Sequence, residues 1–436
     1  TPEFFYQHMP GGLLWYGLGQ KIFGPSLLAA RIQSFLIGLL VMFFSYKLAG
    51  LINPKAKKNI LAILSLGPVA ILYYSSAVPQ SLAALSLILG FYWLYKNRYR
   101  LATISFVLSF IIRENFLFTL IIYLIFLIIA FRKNLKELII NLLISLAVLG
   151  LFFIPGWPGI LNVLKNFPGV SMLQPVSAAE KAVLGLNWMV KNYDWNLNVR
   201  AVKEFGVIYL SFLFIGLISL VNGINNKSWW PKDNRWRLLL TVAGFNFLAH
   251  TWSAFNLSPR AIVSYLVYIF PLLAVIFSAR LKKLPQYWLL LLIALLCLNF
   301  ASLFQKPGQQ NTIRVLNQSV NELKPIINNK QKIIWLAEPM SLYLAGKVSY
   351  FPLINHTNSY KATDDMPTVK SLGFWNKSMM EQWFEEADLV VIDPNRLTFA
   401  KIDLTQELTD KWLPMALPPD LWPKNLMFYE SMAKIR

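Results

Sequence analysis

Along most of the chain, apolar runs of roughly 17–22 residues alternate with short polar clusters. That length matches the ~20 residues a helix needs to cross about 30 Å of hydrocarbon. The pattern predicts spans at roughly 29–49, 59–76, 80–96, 101–112, 115–131, 138–155, 206–222, 237–250, 261–279 and 287–303, about ten in all, with the fourth short. The dyad alternation that builds a membrane barrel is not seen. Residues 156–205 mix Pro, Gly and aromatic positions with stretches too polar to span, which predicts amphipathic helices lying on a membrane surface. Beyond about residue 310 the pattern changes again. "KIIWLAEP" and "ADLVVIDP" are short β-branched runs, and "SLYLAGK" and "SMMEQWFEEA" are amphipathic, which predicts a small α/β domain. The expected fold class is a polytopic α-helical membrane protein with a small C-terminal α/β domain. Its expected parts are a loop and interfacial helix at 1–28, a transmembrane domain at 29–303 that includes the loop 156–205, and the α/β domain at 304–436.

The cations orient this arrangement. Alternate connections hold Lys47, Lys55, Lys57 and Lys58, then Lys96, Arg98 and Arg100, then Arg132, Lys133 and Lys136. The same parity continues with Lys227, Lys232, Arg235 and Arg237, and with Arg280, Lys282 and Lys283. The intervening connections "SSAVPQ", "RENF" and "HTWSAFNLSPRA" carry at most one cation each. Cation-rich short loops face the cytoplasm, so residues 1–28, 156–205, 250–260 and the C-terminal domain are expected outside it. An outer start implies one further span before Thr1. The localisation expected is integral to the membrane, with many spans.

Composition narrows the function classes. Only 14% of the 436 residues are charged, against about 25% in soluble domains. The net charge of +20 is spread over membrane flanks, where it meets anionic lipids, so no nucleic-acid partner is implied. The single cysteine, Cys297, allows no disulfide framework. His8, His250 and His356 are scattered and no acidic cluster has ligand spacing, so no cofactor is implied, although a divalent metal stays open. Neither C-terminal strand is followed by a Gly-rich phosphate loop, which argues against a nucleotide site there.

Polar groups at the outer membrane edge are the candidate chemistry, because charge near hydrocarbon is costly and tends to mark function. They are Glu3, Tyr6 and His8 in the opening stretch, Arg31 near the start of the first span, Arg113, Glu114 and Asn115 in "RENF", and Arg260 with Tyr265 and Tyr268 in "NLSPRAIVSYLVYIFP". A lone arginine at such depth is commonly an interfacial anchor. Three outward arginines are what an anionic phosphate held there would require.

"YQHMPGGLLWYGLGQKIFGPSLLAARIQSFLIGLL" resembles the first outer loop and second span of GT-C superfamily glycosyltransferases that use polyprenyl-phosphate sugars. The resemblance is to the bacterial relatives of protein O-mannosyltransferases and of the lipid A aminoarabinose transferase (glycosyltransferase family 39-like). The family pattern of Asp-Phe, His-Pro-Pro, Phe-Gly and Ala-Ala-Arg is met by Glu3-Phe4, His8-Met9-Pro10, Ile22-Phe23-Gly24 and Ala29-Ala30-Arg31. Its later corners are met by Val78-Pro79-Gln80, Ile112-Arg113-Glu114 and Pro259-Arg260-Ala261, with Pro271 closing the last segment. Departures are Met9 for Pro, Gln80 for Asp and Ala261 for Tyr. The family's Asp-Glu pair after its first span, whose Asp is taken as the acid–base group, would lie upstream of Thr1.

The resemblance implies a sugar donor on a polyprenyl phosphate, a glycan, lipid or protein acceptor, and an inverting transfer on the extracytoplasmic side. That the membrane is the inner or plasma membrane of a bacterium is likewise only what the resemblance implies. Arg113 and Arg260 would hold the phosphate, with Arg31 a lesser candidate. His8, Glu114 and Tyr265 would bind substrate, and Glu3 would support catalysis. A lipid-linked substrate transporter or flippase, and a non-catalytic scaffold for glycan assembly, are the alternatives. Transporters often carry paired halves with broken helices, and the sequence shows no internal repeat.

Overall fold

The computed structural model describes residues 9–65, 78–154, 233–257, 259–280, 294, 312–337, 339–347, 366–371, 375–394, 412–415 and 426–431. The expected span at 206–222, the expected span at 287–303 apart from residue 294, residues 66–76 of the expected span at 59–76, and the surface segment 156–205 lie outside the described residues.

Helix α1 (Pro10–Phe23) begins on a proline at its first position, where a missing N–H costs nothing. The chain turns at Gly24, with φ of 76°, and Gln20 clasps that turn. Its side chain accepts from the Ser26 N–H (2.6 Å) and donates to the Ser26 carbonyl (3.0 Å). Ser26 in turn caps α2 (Leu27–Ile52), accepting from the Ala29 N–H. The helical segment continues through α3 (Ala56–Ser65), α4 (Pro79–Tyr95), α5 (Tyr99–Ile112), a 3-10 turn (Glu114–Phe116), α6 (Leu117–Ala130), α7 (Leu135–Phe153), α8 (Asn234–Leu257) and α9 (Pro259–Arg280).

Among the described residues, two helices are long and apolar enough to cross a membrane, α2 and α7. Residues 99–112, 114–130 and 269–280 form shorter apolar helices. At 1.5 Å per residue, the 14 residues of α5 reach only about 21 Å, so the fourth expected span is short of the full hydrocarbon thickness. What the long helices bury is as telling as their length. The buried residues of α7 are Asn141 and Ser145, while Leu146 and Leu151 are exposed, Leu151 by 72%. In α1 the buried residues are Pro10, Gly12 and Gly19, while Leu13, Leu14, Leu18, Ile22 and Phe23 face outward. A water-soluble bundle distributes these residue types the other way, and apolar surface on this scale needs lipid or a partner.

Polar side chains tie the helices together at one end of the bundle. Asn53, just past α2, donates to the Ala279 carbonyl at the end of α9 (2.9 Å). The Arg280 guanidinium lies 5.2 Å from the Trp236 ring centroid at the start of α8. Arg235 donates to Asn97 between α4 and α5 (3.1 Å) and pairs with Asp233. Arg100 of α5 pairs with Glu137 of α7 at 2.9 Å. The described parts of the cation-rich connections predicted to share a side are thus brought to one end. Deeper in the bundle, Thr103 Oγ1 lies 2.8 Å from Asn141 Oδ1 and 2.9 Å from the Tyr123 hydroxyl. Asn246 of α8 donates to Thr119 of α6 at 2.7 Å. Interhelical hydrogen bonds of this kind replace the hydrophobic driving force that lipid removes.

The C-terminal part contains α10 (Thr312–Ile327), β1 (Ile333–Leu336), α11 (Pro339–Leu344), α12 (Met366–Ser371), α13 (Lys377–Glu386), β2 (Leu389–Ile392), β3 (Trp412–Pro414) and β4 (Met427–Ser431). Its sheet has the order β1-β2-β4-β3, with β1 and β2 parallel and β4 antiparallel to both β2 and β3. Both runs expected as strands are strands, and every residue of β1 and β2 is buried. Asp388 fixes their register at one end by accepting from the N–H groups of Gln331 and Lys332.

Candidate functional site

At the end of the bundle away from the Asn53–Ala279 contact, three separated stretches of sequence meet. The first turn of α1 packs on the last turn of α5. A Cβ on Gly11 would stand 2.9 Å from the Ile111 carbonyl oxygen, and one on Gly12 would stand 2.5 Å from Pro79 Cβ at the start of α4. Both distances are closer than real Cβ contacts allow, so glycine is what permits α1 to reach the corner. Met9, only 1% exposed, donates its backbone N–H to Glu114 Oε2 at 3.4 Å, across 105 residues of sequence. Further along α1, the Tyr16 hydroxyl donates to the Val78 carbonyl (2.9 Å) and shares a hydrogen bond with Ser34 Oγ of α2 (2.5 Å). Burial pushes the Tyr16 phenol above its ordinary value, outweighing its hydrogen bonds with Ser34, Ser81 and Val78. At neutral pH it is a fixed donor.

Arg113 is the last residue before the 3-10 turn, in extended backbone, with its N–H bonded to the Ser109 carbonyl. It is 6% exposed, unusual burial for a guanidinium, and both it and Glu114 have partners. Arg260 is the second residue of α9. Because Asn53 holds the far end of α9 at the end of α2, and 22 residues rise about 33 Å, the first turn of α9 lies toward the α1 end of the bundle. Tyr265 follows in the second turn of the same helix. Arg31 is exposed on the second turn of α2. Glu3 and His8 lie outside the described residues.

The arrangement therefore brings together the entry to α1, Pro79 and the Arg113–Glu114 corner, three of the sequence pieces singled out above. It leaves Arg31 on an exposed position. The sequence reading missed the Tyr16–Ser34–Ser81 cluster and the buried amide oxygen of Gln33, and it took Gln80 only as a departure from the family's Asp. Gln33 Oε1 and Gln80 Oε1 are without a hydrogen-bond partner. The signal for Gln80 was its place directly after Pro79; for Tyr16 only its helical spacing from the buried Gly12 and Gly19 was available. Among the described residues no group of three His, Cys, Asp or Glu side chains could hold a metal ion.

The described elements define a class of architecture: a helical bundle with apolar outer surface, followed in sequence by a small α/β sheet domain. The chain is similar to a solved structure of ArnT from Cupriavidus metallidurans bound to undecaprenyl phosphate. The TM-score is 0.59 at 11% identity, covering 99% of this chain and 89% of that one. The same protein in its apo state gives a TM-score of 0.47 over the same shares. No family model matches the sequence, and no curated protein gives a significant match. At that identity the likeness establishes the fold.

Proposed function

We propose that the protein is an integral-membrane glycosyltransferase that moves a sugar from a polyprenyl-phosphate donor to an acceptor on the extracytoplasmic side. The observation that carries this reading is the meeting of the α1 entry with the buried Arg113–Glu114 corner. It is supported by a fold similar to one solved with undecaprenyl phosphate bound.

In this reading the donor's isoprenoid tail lies along the exposed apolar helices and its phosphate sits at the corner. Breaking the bond between sugar C1 and the phosphate oxygen leaves negative charge on the phosphate. Arg113 and Arg260 hold that oxygen, and a preorganised cation there acts mainly on the transition state. The acceptor hydroxyl attacks C1 from the opposite face and gives its proton to a carboxylate base, so one displacement inverts the anomeric centre. Glu3 supports that step, His8 and Tyr265 contact substrate, and Arg31 anchors α2 at the lipid headgroups. The exposed Leu and Phe of α1 support a helix that lies in the interface plane.

Direct lipid binding checks the phosphate assignment. Undecaprenyl phosphate is expected to remain bound in native mass spectrometry where undecaprenol, lacking the phosphate, does not. Arg113→Ala is expected to weaken retention of the phosphate form by about tenfold, as loss of one charge-assisted contact would. Equal retention of both lipids, or wild-type retention by the variant, removes Arg113 from the phosphate site.

A further inference from the structure

We propose that Glu114, expected from the sequence to bind substrate, is instead a positioning residue: its carboxylate pins the entry of α1, and so fixes where that chain meets the Arg113 corner. The Met9 amide is buried and its backbone, φ −56° and ψ 144°, is not helical. The amide therefore stands outside the hydrogen-bond ladder of α1, and no side chain from its own cap position serves that helix end. A buried N–H without an acceptor costs more than a made hydrogen bond gains, and the acceptor it has is Glu114 Oε2. A carboxylate at this end of α1 also meets the positive pole of the helix dipole.

Glu114 is itself the first residue of the 3-10 turn that follows Arg113. One side chain thus couples the backbone on which Arg113 sits to the backbone that enters α1. Gly11 and Gly12 let the helix approach closely enough for the bond to form. The bond needs an acceptor oxygen, not a titrating acid. Gln at position 114 keeps an amide oxygen in the same place, and Ala removes it. Proline at position 9 fits the observed φ and deletes the donor.

The consequence for turnover rests on the glycosyltransferase reading; the pin itself does not. The test uses the full chain in nanodiscs with two readouts: deuterium uptake of the peptide spanning residues 9–20, and transfer from polyprenyl-phosphate sugar. Glu114→Ala is expected to speed uptake in that peptide and to lower kcat by at least about tenfold with donor KM changed less than about twofold. Glu114→Gln is expected to restore both to within about threefold of wild type. In a Met9→Pro background, Glu114→Ala is expected to cost less than about twofold, because the bond is already absent.

Unchanged uptake in Glu114→Ala overturns the proposal. So does a Glu114→Gln variant as impaired in transfer as Glu114→Ala while its uptake stays wild type, which would make the carboxylate a charge or a base. A full, additive loss in the Met9→Pro background overturns it as well. If Glu114→Ala does not fold, Met9→Pro alone decides, since it deletes the same bond: faster uptake with lowered kcat supports the pin, and wild-type uptake overturns it. A wild-type protein that transfers no sugar ends the transferase reading, while the uptake arm still decides the pin.

Discussion

Arg260→Ala is expected to lower sugar transfer by about 10²–10³-fold, the loss typical when one preorganised donor to a developing oxyanion is removed. Arg260 sits in the first turn of α9, whose opposite end is held to α2 through Asn53 and Ala279. Truncation at 260 leaves that anchor untouched, so size-exclusion behaviour and thermal unfolding are expected to match wild type. The loss is expected in kcat as well as in kcat/KM, because the charge on the phosphate grows as its bond to the sugar breaks. Lysine at 260 is expected to recover only part of the rate, since a point charge lacks the planar fork that holds two phosphate oxygens. Full activity of Arg260→Ala removes the residue from the site.

The second large effect concerns the sheet domain. Trp335→Ala is expected to destabilise it by about 3–5 kcal/mol, the range for deleting a fully buried large aromatic. Trp335 is 0% exposed on β1, and its ring meets Phe428 of β4 edge to face at a centroid distance of 6.2 Å. Leu323, Ile327 and Leu342 complete the same cluster beneath the sheet. A loss of that size is a large share of the 5–15 kcal/mol that stabilises a typical domain. Limited proteolysis of the full chain in nanodiscs is the measurement: cleavage is expected between residues 312 and 431 at temperatures where the wild type resists. Leu413→Ala, at an exposed site on β3, is expected to stay within about 0.5 kcal/mol of wild type.

The helical architecture was legible where local rules set the ends. The run expected at 80–96 is α4 at Pro79–Tyr95, begun by the proline that suits a first helical position. The run at 101–112 ends at Arg113, where the chain leaves the helix for extended backbone. The two strand-like runs of the tail are adjacent and parallel, as β-branched runs separated by helical stretches allow. The order β1-β2-β4-β3 was not legible, because β3 is three residues long and β4, the last strand in sequence, inserts between β2 and β3.

The candidate site was legible as residue types and not as contacts. Arg113 and Glu114 stood out because charge is rare near hydrocarbon, and Arg113 proves buried. Periodicity carries no information about which loop a corner meets. Met9 read only as a departure from a proline, yet its N–H is the group that joins Glu114. Gly11 and Gly12 were given no role from the sequence, and they form the inside of a helix pressed against two others. Long-range packing chose these roles, and a single sequence does not report it.

The measurement that tests the central claim most directly is turnover by the purified chain in liposomes carrying a radiolabelled polyprenyl-phosphate sugar. The account predicts that label leaves the lipid and appears on an added acceptor or in water, with free polyprenyl phosphate formed in equal amount and the transfer lost in Arg260→Ala. Movement of the intact labelled lipid between leaflets, with no release of sugar to any acceptor or to water, would contradict it.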